Sequence, residues 1–262
     1  MEKNVDIKWY QTIDSTNTQA AREMSQAAEG TVWIADFQTA GRGQRGNKWE
    51  SKPAENLTFS ILFKPTFLSP AQQFAISQVA AIGVCRYLCS KGLPAQIKWP
   101  NDIYIGNKKI CGMLIENSIS ADKMSASIVG IGLNLNQREF SSDAPNPTSL
   151  VLETDIPDNT YNRKEELSSL LSYIFTAYSE LEEGFAQELG QEYLANLYRL
   201  GEWHQFIEID TNAPADMPVE KMAAGRTITA RITGVDPYGC VILEHQDGSV
   251  QTYPFKGIRY VL

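Results

Sequence analysis

A hairpin signal near the middle of the chain constrains the fold most. QIKWPNDIYI, at 96–105, leads into Gly106-Asn107 and then KKICGMLIEN, at 108–117. Two strand-like runs joined by such a two-residue turn signal are typical of a β-hairpin. The run SASIVGIGLNLN, at 125–136, predicts the next strand. Strands and helices are mixed without strict βαβ alternation, which favours an α+β fold over a doubly wound α/β fold.

Other segments fill in this domain and suggest a second one. We expect strands at 31–38 and 57–65, and helices after Ser15, from Pro70 to Lys91, and from Asn162 onwards to about Leu200. Thr16 and Gln19 have the spacing of a capping box, with Gly30 as the expected stop. TNAPADMP, at 211–218, resembles a linker, and short strands with tight turns follow it. We therefore predict two domains, 1–212 and 213–262, the second a small β-barrel.

Charge and composition exclude several classes of protein. The 262 residues carry a net charge of −8, which argues against a general DNA or RNA coat. The sequence has only two histidines, and its four cysteines include no C-x-x-C pair, which argues against a zinc site. We therefore predict no resident metal. The N-terminus lacks the pattern of a signal peptide, and no apolar run approaches the length of a membrane span. We expect free thiols and a cytoplasmic protein.

The segment GRGQRGNKW, at 41–49, contains G-x-G-x-x-G. A dinucleotide-binding loop would continue into a helix, but NKWESKPAEN has no helical period, and no acidic residue ends the next strand. A protein kinase would need HRD and DFG motifs, which the sequence lacks. Glycines that allow close approach and arginines that bind carboxylate or phosphate remain, so an anion-binding loop is one hypothesis. A solvated surface loop is the other.

Three further patterns suggest a polar cleft. Asp102 and Lys109 flank the hairpin turn and could meet across the two strands, although surface lysines at a hairpin tip are common. Gly112 lies within a strand, where a ligand or a bulge often requires glycine. By the period of two, Gly130 and Gly132 share a face with the asparagines that follow them, while leucine and isoleucine share the other. That arrangement suits the floor of a pocket for a flat polar group.

Taken together, these motifs resemble those of the biotin–protein ligases. STN at 15–17, GRGQRGNKW, KWPNDIYI, KKICGMLIE, GIGLNLN and PTSL occur in the order found in that family. The resemblance extends from about Asp14 to the C-terminus. It implies an α+β catalytic domain with a mixed sheet, followed by an SH3-like β-barrel. The motifs begin at residue 14, so we expect the monofunctional type without an N-terminal DNA-binding domain.

The resemblance also implies a reaction. The biotin carboxylate attacks the α-phosphorus of MgATP to give biotinyl-5′-AMP and pyrophosphate. A lysine of a biotin carboxyl carrier domain then takes the biotin and releases AMP. ATP, Mg²⁺ and biotin are thus expected as co-substrate, metal and substrate, with no tightly bound cofactor. Neither DNA nor a membrane is expected as a partner, and a weak homodimer is a further expectation.

The family assigns roles by position. Lys109, Arg42 and Asp102 are the expected catalytic residues. Biotin is expected to contact Ser15, Thr16, Asn17, Gln38, Gly41, Arg42, Lys109, Gly112 and Leu114. The nucleotide is expected to contact Gln44, Arg45, Asn47, Trp49, Asn101, Asp102, Lys109 and Asn134. Many members carry arginine where Gln44 and Asn47 stand, so we predict that this ligase releases its adenylate more readily than arginine-rich relatives do.

Alternatives from other classes stay open at this point. A lipoate–protein ligase or octanoyl transferase would share a related fold, but GRGQRGNKW and KWPND argue against it. An interaction protein with a peptide-binding barrel would leave the lysine, aspartate and glycine pattern unexplained. A transcription regulator would need a basic DNA-reading face, which the acidic composition disfavours.

Overall fold

The computed structural model describes residues 5–44, 47–141, 146–154, 161–209 and 224–261. A first, seven-stranded sheet has the order β1-β2-β3-β7-β6-β5-β4. Its strands are β1 (Ile7–Ile13), β2 (Val32–Gln38), β3 (Leu57–Phe63), β4 (Ala95–Lys98), β5 (Asp102–Ile105), β6 (Lys108–Ser120) and β7 (Lys123–Leu133). β1 and β2 are parallel, whereas the other neighbours are antiparallel. The predicted mixed sheet and central hairpin are confirmed.

Helices cover the two faces of this sheet unequally. They are α1 (Thr16–Glu23), α2 (Phe74–Ser90), α3 (Leu150–Glu153), α4 (Arg163–Glu182) and α5 (Ala186–Ala195). The main core joins α2, α4 and α5 to one face, and a smaller cluster around Ala20 and Trp33 joins α1 to the other. α2 and α4 approach closely at Gly83, where a Cβ would lie 2.7 Å from the Cα of Ile174. None of the described helices is long and apolar enough to cross a lipid bilayer.

The first helix differs from its prediction at both ends. It ends at Glu23, well before the expected stop at Gly30. Ser15 is the N-cap residue and makes no side-chain capping bond. The Thr16 hydroxyl instead bonds to Gln38 at 3.1 Å, so the predicted capping box is wrong. The Thr16 hydroxyl, which the local pattern assigned to the helix cap, forms a tertiary hydrogen bond in place of the capping bond.

A second, five-stranded antiparallel sheet has the order β11-β10-β9-β8-β12. Its strands are β8 (Trp203–Ile209), β9 (Ala224–Val235), β10 (Val241–His245), β11 (Val250–Tyr253) and β12 (Ile258–Tyr260). Pairing of β8 with β9 and β12 joins 203–209 to the C-terminal strands. The expected boundary at 212/213 and the expected linker lie outside the described residues, so the division into domains remains a prediction.

The two sheets meet at the turn between β9 and β10. The indole N–H of Trp99 donates to the carbonyl of Gly239 at 2.8 Å, and the Trp99 ring packs edge-on against Phe255. Gly239 has φ of +90°, and a Cβ there would lie 2.5 Å from the ring of Phe74. Glycine is therefore required at this position. Trp99 immediately precedes the Pro-Asn-Asp segment that opens β5, so the second sheet supports the base of the candidate site.

Candidate active site

The central hairpin brings together a lysine and an aspartate. Lys109 Nζ lies 2.7 Å from Asp102 Oδ1, and both side chains are about one-fifth exposed, at 24% and 19%. β5 pairs with β6 so that Asp102 faces Gly112 and Tyr104 faces Lys109, with a register shift between these pairs. The shift leaves Ile110 as an extra residue in β6, and a β-bulge of this kind reverses the alternation of side chains. The bulge therefore places Lys109 on the same side as Asp102 and Gly112.

Glycines form the floor beside this pair. Gly112 and Gly132 face each other across β6 and β7. A Cβ on Gly112 would lie 3.1 Å from both Lys109 Nζ and the Trp49 ring, and a Cβ on Gly132 would overlap the Trp49 indole. The glycine face predicted from the period of two thus includes Gly132, against which the Trp49 ring packs. Within the described residues, the indole N–H of Trp49 is buried and has no hydrogen-bond partner.

The glycine-arginine loop folds back on itself like a narrow hairpin. Arg42 and Lys48 form an antiparallel bridge, Gly43 N donates to Asn47 O at 2.6 Å, and Trp49 N donates to Gly41 O at 3.1 Å. A Cβ on Gly41 would lie 2.5 Å from the Trp49 carbonyl oxygen, which explains the glycine. Gln44 and Asn47 lie at the far end of this loop, joined by an Asn47 N to Gln44 O bond of 3.2 Å. Arg45 lies outside the described residues.

A buried polar cluster surrounds the start of α1. Gln38 Oε1 accepts from the Thr16 backbone N–H at 2.7 Å and from its hydroxyl at 3.1 Å. The Ser60 hydroxyl lies 2.8 Å from Thr16 Oγ1 and 2.6 Å from Asn17 Oδ1. Ser15 is also buried. The structure therefore brings the expected biotin contacts at 15–17 and 38 together, and it adds Ser60, which the sequence did not single out.

Arg42 of the loop and Glu116 of β6 form a two-pronged ion pair. The two guanidinium nitrogens of Arg42 lie 3.0 and 2.8 Å from the two Glu116 oxygens, and Asn17 Nδ2 donates to the same carboxylate at 2.8 Å. Glu116 was missed at the sequence level. The only signal was its position two residues after Leu114 and four after Gly112 on one face of β6. A shallow cleft of about 340 Å³ opens beside this pair, between α1 and β6.

Three of the residues expected to contact a ligand already form hydrogen bonds that involve backbone carbonyls. The Leu114 carbonyl accepts from Asn17 Nδ2 at 3.2 Å. The Asn101 side chain donates to the Met113 carbonyl, and Asn134, which is buried, donates to the carbonyl of Thr148 at 2.8 Å. β7 ends at Leu133, so Asn134 no longer follows the alternation of the strand. The Asn101 and Asn134 amides therefore tie neighbouring segments to the hairpin, and their contact with a nucleotide remains a prediction.

Sequence similarity relates this chain to known ligases. The profile of the Biotin/lipoate A/B protein ligase family matches residues 9–134. The Biotin–[acetyl-CoA-carboxylase] ligase of Paracoccus denitrificans is 32% identical over 198 residues, which cover 72% of this chain and 80% of that protein. The chain belongs to the biotin–protein ligases. The Bifunctional ligase/repressor BirA of Salmonella typhimurium is 30% identical over 92% of this chain and 70% of its own length.

Structural similarity extends over almost the whole ligase. The biotin protein ligase of Aquifex aeolicus, solved in complex with biotin and ATP, superposes with a TM-score of 0.75. It is 26% identical, with 98% of this chain and 99% of that chain covered. The sequence-based assignment to an ATP-dependent biotin ligase with an α+β fold, a mixed sheet and a separate antiparallel C-terminal sheet is confirmed. The lipoate ligase alternative is correspondingly disfavoured, as are the non-enzyme alternatives.

Proposed function

We propose that this biotin–protein ligase carries out both steps in the cleft between the glycine-arginine loop and the central hairpin. The observation that supports this placement best is the Lys109–Asp102 pair, 2.7 Å apart, beside the Gly112–Gly132 floor. A biotin carboxylate and an ATP triphosphate repel each other, so their union requires fixed cations. Lys109 is held in place by Asp102, and the glycines leave room for a flat ligand beside it.

In the proposed first step, a biotin carboxylate oxygen attacks the α-phosphorus and pyrophosphate leaves with the electrons of the broken P–O bond. Lys109 would hold the carboxylate and α-phosphate oxygens through the transition state. Arg42, on the other side of the cleft, would exchange Glu116 for the ligand's negative charge. The side chains of Ser15, Thr16 and Gln38 would bind the ureido ring, because the fold already holds these donors and acceptors close together.

In the proposed second step, a lysine amine of a biotin carboxyl carrier domain attacks the carbonyl carbon of the adenylate. The C–O bond to AMP breaks, and the amine loses a proton to solvent or to the departing phosphate. A mixed anhydride hydrolyses readily, so water must be excluded during the wait. The loop at 41–49 would cover the adenylate, and the Trp49 indole would leave the floor of the cleft to become a wall for the adenine.

Mg²⁺ would enter with ATP. Within the described residues, no group of three or more His, Cys, Asp or Glu side chains could hold a metal ion alone. Asp102 offers one carboxylate, and Mg²⁺ commonly binds one or two carboxylates together with substrate phosphates. The ion would offset negative charge on the phosphate chain. The cytoplasm fits this chemistry, because the four cysteines are free thiols.

The test is biotin-dependent exchange of labelled pyrophosphate into ATP, followed by transfer to a carrier domain, with lipoate in place of biotin as the negative control. Lys109→Met should reduce exchange by roughly 100-fold or more, as loss of one preorganised electrostatic group does. Lys108→Met is the matched control, because Lys108 pairs with Glu153 outside the cleft. Normal exchange by a folded Lys109→Met variant would contradict the proposed role, and exchange driven by lipoate would contradict the proposed substrate.

A further inference from the structure

Lys98, a cation beside the catalytic pair, has no function in the scheme above. It is the last residue of β4 and lies directly opposite Asp102 in the antiparallel pairing with β5. Its ammonium sits 4.9 Å from the ring centre of Tyr104 and 5.0 Å from that of Tyr260. Tyr260 belongs to β12, so this lysine stands where the two sheets meet next to the cleft. Its side chain is half-buried and remains within reach of a ligand.

Among the described residues, the ammonium of Lys98 forms no direct ion pair. In the parts of the chain that the structure describes, it forms two contacts with aromatic rings and neither a hydrogen bond nor an ion pair. The nearby carboxylate of Asp102 is already bound to Lys109 at 2.7 Å. Burial lowers the pKa of Lys98, Asp102 opposes that shift, and Lys109 and Arg199 add to it. A half-buried cation with unused N–H donors is costly, and proteins retain such groups chiefly at functional sites.

We infer that Lys98 binds the phosphate chain of ATP. This inference rests on the proposed function and extends it by one residue. The two expected catalytic cations are each engaged by a carboxylate, Lys109 by Asp102 and Arg42 by Glu116. Lys98 supplies positive charge with free donors, and a polyphosphate supplies the acceptors that these donors lack.

A purely structural role makes a different prediction. Cation–π contacts with Tyr104 and Tyr260 could stabilise the packing of the second sheet against the first. Lys98→Met keeps the aliphatic stem over both rings and removes only the charge. If the lysine served as a tie, this variant would unfold at a lower temperature. If it serves as a ligand group, the variant should be as stable as the wild type or more so, because an unpaired half-buried charge is gone.

The decisive measurement is calorimetric titration of the ligand-free enzyme with magnesium tripolyphosphate and with MgATP. Lys98→Met should weaken both by roughly 10- to 100-fold, the loss expected for one charge-assisted hydrogen bond. Lys98→Arg should recover part of the affinity. Lys108→Met, which removes the same charge from the exposed first residue of β6, should stay within about twofold because its phosphate attraction is screened. Thermal unfolding of each variant accompanies the titrations.

The outcomes separate this inference from the proposed function. If Lys98→Met binds both polyphosphates as the wild type does, or if the wild type does not bind tripolyphosphate, the inference is wrong. If the variant loses affinity only in proportion to a lowered unfolding temperature, the structural role is correct and the inference is again wrong. If the wild type shows no biotin-dependent exchange but its polyphosphate binding depends on Lys98, the ligase proposal fails and the inference stands.

Discussion

Replacing Glu116 with glutamine tests how the cleft controls its charge before ligand arrives. In the proposed mechanism, the Arg42 guanidinium releases the Glu116 carboxylate before it binds a biotin carboxylate or a phosphate. The pair is 44% and 38% exposed, so it has the strength of a surface ion pair, about 0.2–1 kcal/mol. Glu116→Gln removes that competition and still offers an oxygen to Asn17. Biotin should therefore bind more tightly, by roughly 1.5- to 5-fold on the same energy scale.

The assay is calorimetric titration with biotin at two ionic strengths. The gain should shrink when the salt concentration rises from low to physiological, because exposed charges are screened. Glu139→Gln is the matched control, since Glu139 is 86% exposed and pairs with Lys52 away from Arg42. If Glu116→Gln bound biotin more weakly than both the wild type and this control, the ion pair would be arranging the loop for binding. The competition argument would then be refuted.

Three further predictions concern the glycine-arginine loop, the glycine floor, and Glu23 at the end of α1. Gln44→Arg should slow the release of free biotinyl-adenylate in a single-turnover assay. An unchanged release rate would contradict the prediction that Gln44 makes this ligase release its adenylate more readily. Gly132→Ala should displace the Trp49 indole, change its fluorescence and cost about 1–3 kcal/mol in urea unfolding; an unchanged spectrum would contradict the contact. Bonds from Lys8, Trp33 and Gln19 lower the pKa of Glu23 from 4.5 to about 2. The ionised Glu23 carboxylate therefore stabilises the folded protein fully above pH 4.5, and this contribution is lost as the pH falls towards 2. Glu23→Gln should make the free energy of unfolding, measured with urea, depend less on pH in that range.

The local patterns predicted the strands around the site well and its side-chain directions less well. The period of two placed Gly130 and Gly132 on one face, and the structure confirms that face. It could not show that β7 ends at Leu133, after which Asn134 turns towards Thr148. Strand ends depend on tertiary hydrogen bonds, which no local alternation records. The parallel edge strand Ile7–Ile13 escaped notice for a similar reason, since its partner lies 25 residues further on, with Ile7 opposite Val32.

The position of Lys109 depends on a feature that sequence alone could not supply. Strict alternation from Gly112 would send Lys109 to the opposite side of the sheet. The extra residue at Ile110 reverses this, and hydrophobic patterning gives no signal for it, because Ile110 and Cys111 are both buried. Glu116 and Ser60 were missed because a lone acidic or hydroxyl residue in a strand carries no motif. Their importance arises only from what the fold brings beside them.

The indole of Trp99 also limits how this enzyme can be shortened. In a fragment that ends before the second sheet, the indole N–H of Trp99 would lose its acceptor, the carbonyl of Gly239. The rings of Phe74 and Trp99 would lose their contacts with Phe255, and Trp99 is only three residues from Asp102. The newly exposed surface would be apolar and would lie next to the proposed active site at Asp102. Self-association through it would mask whatever chemistry the fragment retained, so inactivity of a truncated chain would say little about which half performs catalysis.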